Sequence, residues 1–388
     1  MQRDGFFDSE LWSEQILQLS HHEPAIKHGL LALSTLHERF ERTSQGTSAQ
    51  QSDYALVQYM QAVRHSNKLL TDHKHGKVPV EKVLLACIIF VCYENLAGNY
   101  ASAAMHLQNG LRILAQHQSE LSKNAAISTQ QDSIANVLFR FDFQAMTFSD
   151  MSSPYKYDKS YRPACPNIPA IYTSTASARN DLVELLRFVM WIYGIFDPDI
   201  ESDPYSNPVF IAASARLLTC FQAWVIAFEA YAASLPSSAL QKPKTYAGIT
   251  LLRIYGAMYQ VMAQDAAGSE MRWDAHLSSF RTIVELSESL SSLSPATARR
   301  RTSAPAPTTT TLSPIVPLFM VATTCRDPLV RRRAITLLRT SRRREGMWDS
   351  DGAAAVAAEY VRIEEGLDGY GDWSKGNSVN IDNSNNEQ

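Results

Sequence analysis

Three groups of residues in this chain are of types that could do chemistry: an arginine run, a histidine cluster and five cysteines. The stretch "RDPLVRRRAITLLRTSRRREGMWDS", Arg326 to Ser350, holds eight arginines, although the chain as a whole carries a formal charge of -3. Charge so concentrated could meet phosphate, act as an import signal, or pair with acids of the same chain. His21, His22 and His28, with Glu23 among them, are metal-ligand types. His21 and His28 lie seven apart and His22 lies six from His28, so no His-Glu-x-x-His pattern exists. His73 and His75 in "DHKHGK" sit beside lysines and read as a surface connector.

The cysteines are Cys87, Cys92, Cys165, Cys220 and Cys325. In apolar helical runs a free thiol behaves as a small hydrophobe. The odd count and the lack of a secretion signal fit a reducing compartment. No Gly-x-Ser-x-Gly elbow, phosphate loop or dinucleotide fingerprint is present. Glu364 and Glu365 read as a carboxylate pair on a solvated helix. Trp191, Trp224 and Trp273 read as core, with a small-molecule effector left open. The expectation is a chain that is not an enzyme and takes no cofactor.

Composition fits a packed chain. Hydrophobic residues make up 45% and charged residues 19%, which excludes global disorder. Asp4, Asp8 and Glu10 are wrong for a signal or transit peptide. The longest apolar runs, Val83–Tyr93 and Leu217–Phe228, are shorter than the ~20 residues that span a bilayer. A soluble intracellular protein with no membrane partner is expected.

Helical periodicity supplies the elements. Pro24 opens a helix with Ile26, Leu30, Leu33 and Phe40 at spacings of three and four. Ser52 precedes a second, Pro79 opens a third, and another follows Gly98. Further helices are predicted from Ser128 or Thr129 to about 148, and over 178–196, 208–234, 243–265, 270–290, 315–324, 328–341 and 351–366. No sustained period-two alternation predicts a strand. The fold class is therefore all-α, an irregular array of antiparallel helical hairpins. Residues 1–293 read as the helical domain and the Pro/Thr/Ala-rich 294–314 as a flexible linker. Residues 315–367 read as terminal helices on the same domain, and 368–388 as a disordered tail.

In the arginine helix, Asp327 can cap and Pro328 can take the first helical position. Val330, Ala334, Leu337, Leu338 and Ser341 share a face, while Arg332, Arg339 and Arg343 lie opposite. Arg331 and Arg342 flank the apolar face, where each either snorkels outward or pairs with a buried acid. Arg299, Arg300 and Arg301, in "ARRRTSAP", are the better-exposed import candidate.

The segment "PLFMVATTCRDPLVRRRAITLLRTSRRREGMWDS" resembles the C-terminal end of the regulatory region of fungal zinc-cluster transcription factors. Cys325-Arg326-Asp327-Pro328 and Arg343-Arg344-Glu345-Gly346-Met347-Trp348 carry the likeness. "FFDSELWSEQILQLSHHEPAIKHGLLALSTLHE" is similar to the family's leading segment, in which an extended aromatic stretch runs into paired helices. The likeness covers most of residues 5–366. It implies an all-α, regulatory, non-catalytic region in which those signature residues are structural.

Such factors read DNA through a cluster of six cysteines and two zinc ions. Five scattered cysteines cannot build one. The expectation is therefore a nuclear regulator from a filamentous fungus, shared with the cytoplasm or not, that acts on a metabolic pathway, with a secondary-metabolite pathway as the narrower option. It would work through other regulators or the transcription machinery and touch DNA only indirectly. The alternatives are a regulatory fragment of a full DNA-binding factor, or a helical enzyme or ligand-binding protein recruited from this fold.

Overall fold

The structure is a computed structural model that describes residues 11–42, 49–121, 129–148, 165–195, 207–263, 270–293, 308–309 and 312–365. Arg299–Arg301, most of the stretch 294–314 and the tail 368–388 lie outside the described residues.

Leu11–Gln15 form a π-helical turn that runs into α1 (Ile16–Ser20). From Leu11 the chain is thus helical where an extended stretch is expected, and it buries Leu11, Trp12 and Ile16. Then come α2 (Pro24–Arg42), α3 (Ala49–Lys74), α4 (Val80–Ala97), α5 (Tyr100–Leu121) and α6 (Thr129–Thr147). α2 packs along α3 and α4 along α5, as hairpins. Pro79 is the residue that precedes α4, not its first turn. α4 is apolar on almost every side and is buried on almost every side, with Leu84, Leu85, Ile88, Ile89 and Val91 inside. Gly98 ends it at φ 81°, the left-handed conformation that glycine adopts without strain.

The second half holds α7 (Thr175–Ile195), α8 (Pro208–Ser234), the short α9 (Ser237–Leu240) and α10 (Pro243–Ala263). A 3-10 turn, Glu270–His276, leads into α11 (Leu277–Leu293), followed by α12 (Ile315–Thr324), α13 (Pro328–Ser341) and α14 (Ser350–Glu364). Asn207 caps α8 by accepting from the Val209 N–H at 2.9 Å, with Pro208 at the first position. α8 as a whole is long and apolar enough to cross a membrane, although no unbroken apolar run in it is. Its Phe210, Leu217, Phe221, Trp224 and Phe228 face packs inward as a core helix does.

Strands do occur among the described residues, contrary to the sequence expectation. β1 (Thr308–Thr309) pairs in parallel with β2 (Arg344–Glu345), which pairs antiparallel with β3 (Trp348–Asp349). Two-residue strands are too short for alternation to register. The end of the expected linker is likewise built in, with Leu312 and Ser313 each 1% exposed.

Two large apolar clusters meet on α6. Ile134, Leu138 and Phe141 join Ile16, Ile26, Leu33, Leu84, Ile88 and Leu107 on one side. Phe143 joins Leu186, Trp224, Leu251, Ile283, Leu318 and Leu338 on the other. Between them runs a buried ionic chain. Arg187, with no exposed side-chain surface, donates to Asp142 from Nε at 2.8 Å, holds Nη2 in ion-pair contact 2.6 Å from the same carboxylate, and donates from Nη1 to both Glu184 oxygens at 3.0 Å. Its guanidinium also lies 4.1 Å over the Phe139 ring. Burial pushes the Glu184 carboxyl up, and Arg187 pulls it back down. Taking one member from such a group leaves buried charge uncompensated. Arg187→Met is expected to lower stability by about 3–5 kcal/mol in urea unfolding at pH 7. A loss below about 1 kcal/mol contradicts this role.

Candidate regulatory site

The signature residues of the C-terminal segment are brought together by α12, α13 and the β2–β3 hairpin. Cys325 follows α12 with 1% exposure, and burial pushes its thiol up, so it is a packing group. Asp327 caps α13, its Oδ1 accepting from the Leu329 and Val330 N–H groups at 2.9 and 3.0 Å. The Val330 N–H, aided by Leu329 and by Arg281 at 3.4 Å, holds this carboxyl below the ordinary aspartate value. Pro328 takes the first helical position, as its missing N–H allows.

Five of the eight arginines are met by acids of the same chain. Arg331 is 4% exposed and donates from Nη1 to Glu364 at 2.5 Å and from Nε to the Ala322 carbonyl at 3.0 Å. It is paired rather than turned outward, but its acid, Glu364, is exposed and not the buried partner expected. Arg332 donates to Glu365 at 2.7 Å, and Arg333 grips Glu288 in bidentate fashion at 2.9 and 2.7 Å. Arg326 meets Asp274 at 3.1 Å and Arg344 meets Asp349 at 2.8 Å. Arg342 is exposed and ends α13 in the left-handed conformation, φ 42°. The expected opposite face also divides: Arg339 is exposed, whereas Arg332 and Arg343 are half-buried.

Glu345 is the centre of the site. Its side chain is wholly buried, and its carboxylate accepts from Gln144 Nε2 of α6 at 2.9 Å and Ser313 Oγ at 2.5 Å. The Tyr255 hydroxyl of α10 donates to the Ser313 carbonyl at 2.8 Å. Burial raises the Glu345 carboxyl to about 7, against the bonds from Ser313 and Gln144 and the positive charge of Arg343. Gly346 follows at φ 55°, and a Cβ there would stand 2.3 Å from Gln144 Oε1. Only glycine fits so close to that amide. The next two residues point apart: Met347 joins the α1–α6 cluster and Trp348 the other. Trp348 also donates from Nε1 to Thr147 Oγ1 at 3.2 Å and sits against the Phe148 and Phe319 rings. The segment 343–350 is closed by paired bonds, Arg343 N–H to Ser350 Oγ and Ser350 N–H to the Arg343 carbonyl, each 2.9 Å.

Other candidates resolve into packing. His28 bonds Gln58 at 2.7 Å and stacks on His65, away from any ligand set. Among the described residues no group of three His, Cys, Asp or Glu side chains could hold a metal. Trp224 is buried, donates to the Ala178 carbonyl at 2.7 Å and stacks between Phe221 and Phe228. Trp191 and Trp273 pack at the edge of the same core. Two shallow grooves, of about 370 and 410 Å³, lie on the outer faces of α14 and α8. None of the three tryptophans lines either groove.

Sequence reading missed a second polar centre on α4. Glu94, 5% exposed, accepts from the Tyr59 hydroxyl and from Asn99 Nδ2 at 2.8 Å. His106 lies 3.3 Å from the same hydroxyl, and burial lowers its pKa. An acid inside an apolar run was the available signal.

Residues 5–173 match the family described as the fungal specific transcription factor domain. Over that stretch the chain is similar to fungal transcription regulators. It is 24% identical over 442 residues to the aspercryptin biosynthesis cluster-specific transcription regulator atnN of Emericella nidulans, covering 92% of this chain and 71% of that one. It is 29% identical over 114 residues to the transcription regulator lscL of Purpureocillium lilacinum, covering 28% of this chain and 27% of that one. No solved structure matches. The family match stops before the C-terminal signature, which lies within the stretch that sequence reading found sharpest.

Glu345 gives a pH test with a fixed sign. Its folded pKa, about 7, lies above the ordinary 4.5, so the folded state prefers the protonated acid. That stability is present below pH 4.5 and is lost as pH rises through 7. Glu345→Gln is expected to flatten this segment of the stability–pH curve, by roughly 3 kcal/mol at most. Superimposable curves for the two proteins in chemical denaturation contradict it.

Proposed function

We propose that this chain is a helical regulatory module that controls a biosynthetic pathway in the nucleus through protein partners, with DNA contacted by those partners. The observation that carries the reading is the pairing of five of the eight arginines in the run with acids of the same chain. Arg326, Arg331, Arg332, Arg333 and Arg344 are committed to Asp274, Glu364, Glu365, Glu288 and Asp349. A phosphate-binding face needs cations free to replace condensed counterions. Five cysteines cannot supply a six-cysteine zinc cluster. The family match and the relative named for aspercryptin biosynthesis support regulation of a secondary-metabolite gene cluster.

Partner contact is supported by two apolar helix faces turned to solvent. α8 exposes Ile211, Leu218 and Ile226, and α14 exposes Val356, Tyr360 and Ile363 at helical spacing. Because this chain covers 71% of the aspercryptin regulator, a second reading is that it serves as the regulatory part of a longer DNA-binding factor. An in-frame six-cysteine cluster upstream of Met1 in the gene selects that second reading.

Titration of purified protein against duplex promoter DNA is expected to give only weak, salt-sensitive, sequence-independent shifts. Tight sequence-specific binding by the chain alone overturns the proposal. For nuclear entry, replacing Arg299, Arg300 and Arg301 with alanine is expected to move a fluorescent fusion to the cytoplasm. An unchanged distribution removes that role.

A further inference from the structure

Cys165 and Cys220 are 55 residues apart in sequence, yet their Sγ atoms lie 3.3 Å apart. Cys165 opens the described stretch that leads into α7, and Cys220 sits in the middle of α8. Both are half-buried at the rim of the larger core, so a small reagent can reach them. The other thiols differ. Cys92 and Cys325 are buried, and Cys87, half-buried like the pair, lies on α4 against Gly110 of α5. We propose that Cys165 and Cys220 form a redox-sensitive dithiol that closes to an intramolecular disulfide under a peroxide.

The geometry needs little change. A disulfide requires sulfurs about 2.05 Å apart, so the two must approach by about 1.3 Å, within reach of small side-chain rotations. Arg216 stands one turn before Cys220 on α8. Its guanidinium draws the Cys165 pKa down, while burial and the neighbouring Cys220 thiol hold it high, at about 12. Cys165 therefore reacts through a small thiolate fraction beside a fixed cation, and the reaction quickens as pH rises.

The steps balance. Cys165 sulfur attacks one peroxide oxygen, the O–O bond breaks, and a sulfenic acid and one water result. The Cys220 thiol then displaces the sulfenic oxygen as a second water, and the S–S bond forms. Two thiols are oxidised by two electrons and one hydrogen peroxide is reduced to two waters. The bond would tie the approach to α7 against α8 and close a loop of 55 residues, which restricts the unfolded chain.

The test is hydrogen peroxide titration of the purified full chain, followed by differential alkylation and peptide mass analysis. The expected result is a Cys165–Cys220 linked peptide pair, reversed by dithiothreitol, formed faster at pH 9 than at pH 7. A rise of a few degrees in melting temperature should accompany it. Cys220→Ser should abolish the link and leave Cys165 as a dimedone-trapped sulfenic acid. Three results overturn the proposal: both thiols still alkylated after peroxide has consumed free glutathione, a sulfenic acid without the link in the native chain, or a link to another cysteine or between chains. The native chain alone decides these, so a variant that misfolds does not rescue the idea.

Discussion

A carboxylate enclosed by protein on every side must be satisfied by the groups that surround it, and Glu345 imposes that demand on this fold. Its two donors come from α6 and from the segment before α12, so the acid cannot be solvated unless these elements separate. Gly346 presses against the same amide that feeds Glu345, and Met347 and Trp348 then anchor in different apolar clusters. One four-residue turn thus holds together helices that are about two hundred residues apart in sequence. Apolar contacts alone would tolerate sliding of α6 against α12. A buried polar group with directional bonds does not.

Electrostatics in the terminal helices follow the same logic on a larger scale. Arginines in an acidic chain are usually read as a face for anions. Here they cross-link elements: Arg333 ties α13 to α11, and Arg331 and Arg332 tie it to α14. Exposed pairs such as Arg333–Glu288, more than two-fifths exposed on both sides, add little energy each. Arg331 is different, because its buried head must keep Glu364 and the Ala322 carbonyl. The paired arginines of the run thus give the chain a fixed arrangement of three helices.

Helices were legible wherever local chemistry set them. Pro24, Gly98, the Asp327–Pro328 pair and the three-and-four spacing along α2 each point to the observed ends within a few residues. The all-α class follows from them. What the sequence hides is pairing at a distance. Nothing near Glu345 in sequence says that Gln144, two hundred positions earlier, is its donor. Asp142, Glu184 and Arg187 read as ordinary helix polars because only the packing of α6 on α7 brings them together. The strands escaped for another reason: two residues carry no period.

Buried polar links also decide how the two apolar clusters can behave. Each cluster alone would bury its side chains without regard to the other. On α6, Phe141 and Phe143 face different clusters while Asp142 and Gln144, the alternating residues, carry the ionic and amide links. Four consecutive residues of one helix therefore reach both cores, the Arg187 ionic group and the Glu345 carboxyl. A rotation of α6 by one residue, about 100°, would misplace all four at once. The helix is held in register less by how much apolar surface it covers than by how few orientations satisfy every polar atom on it.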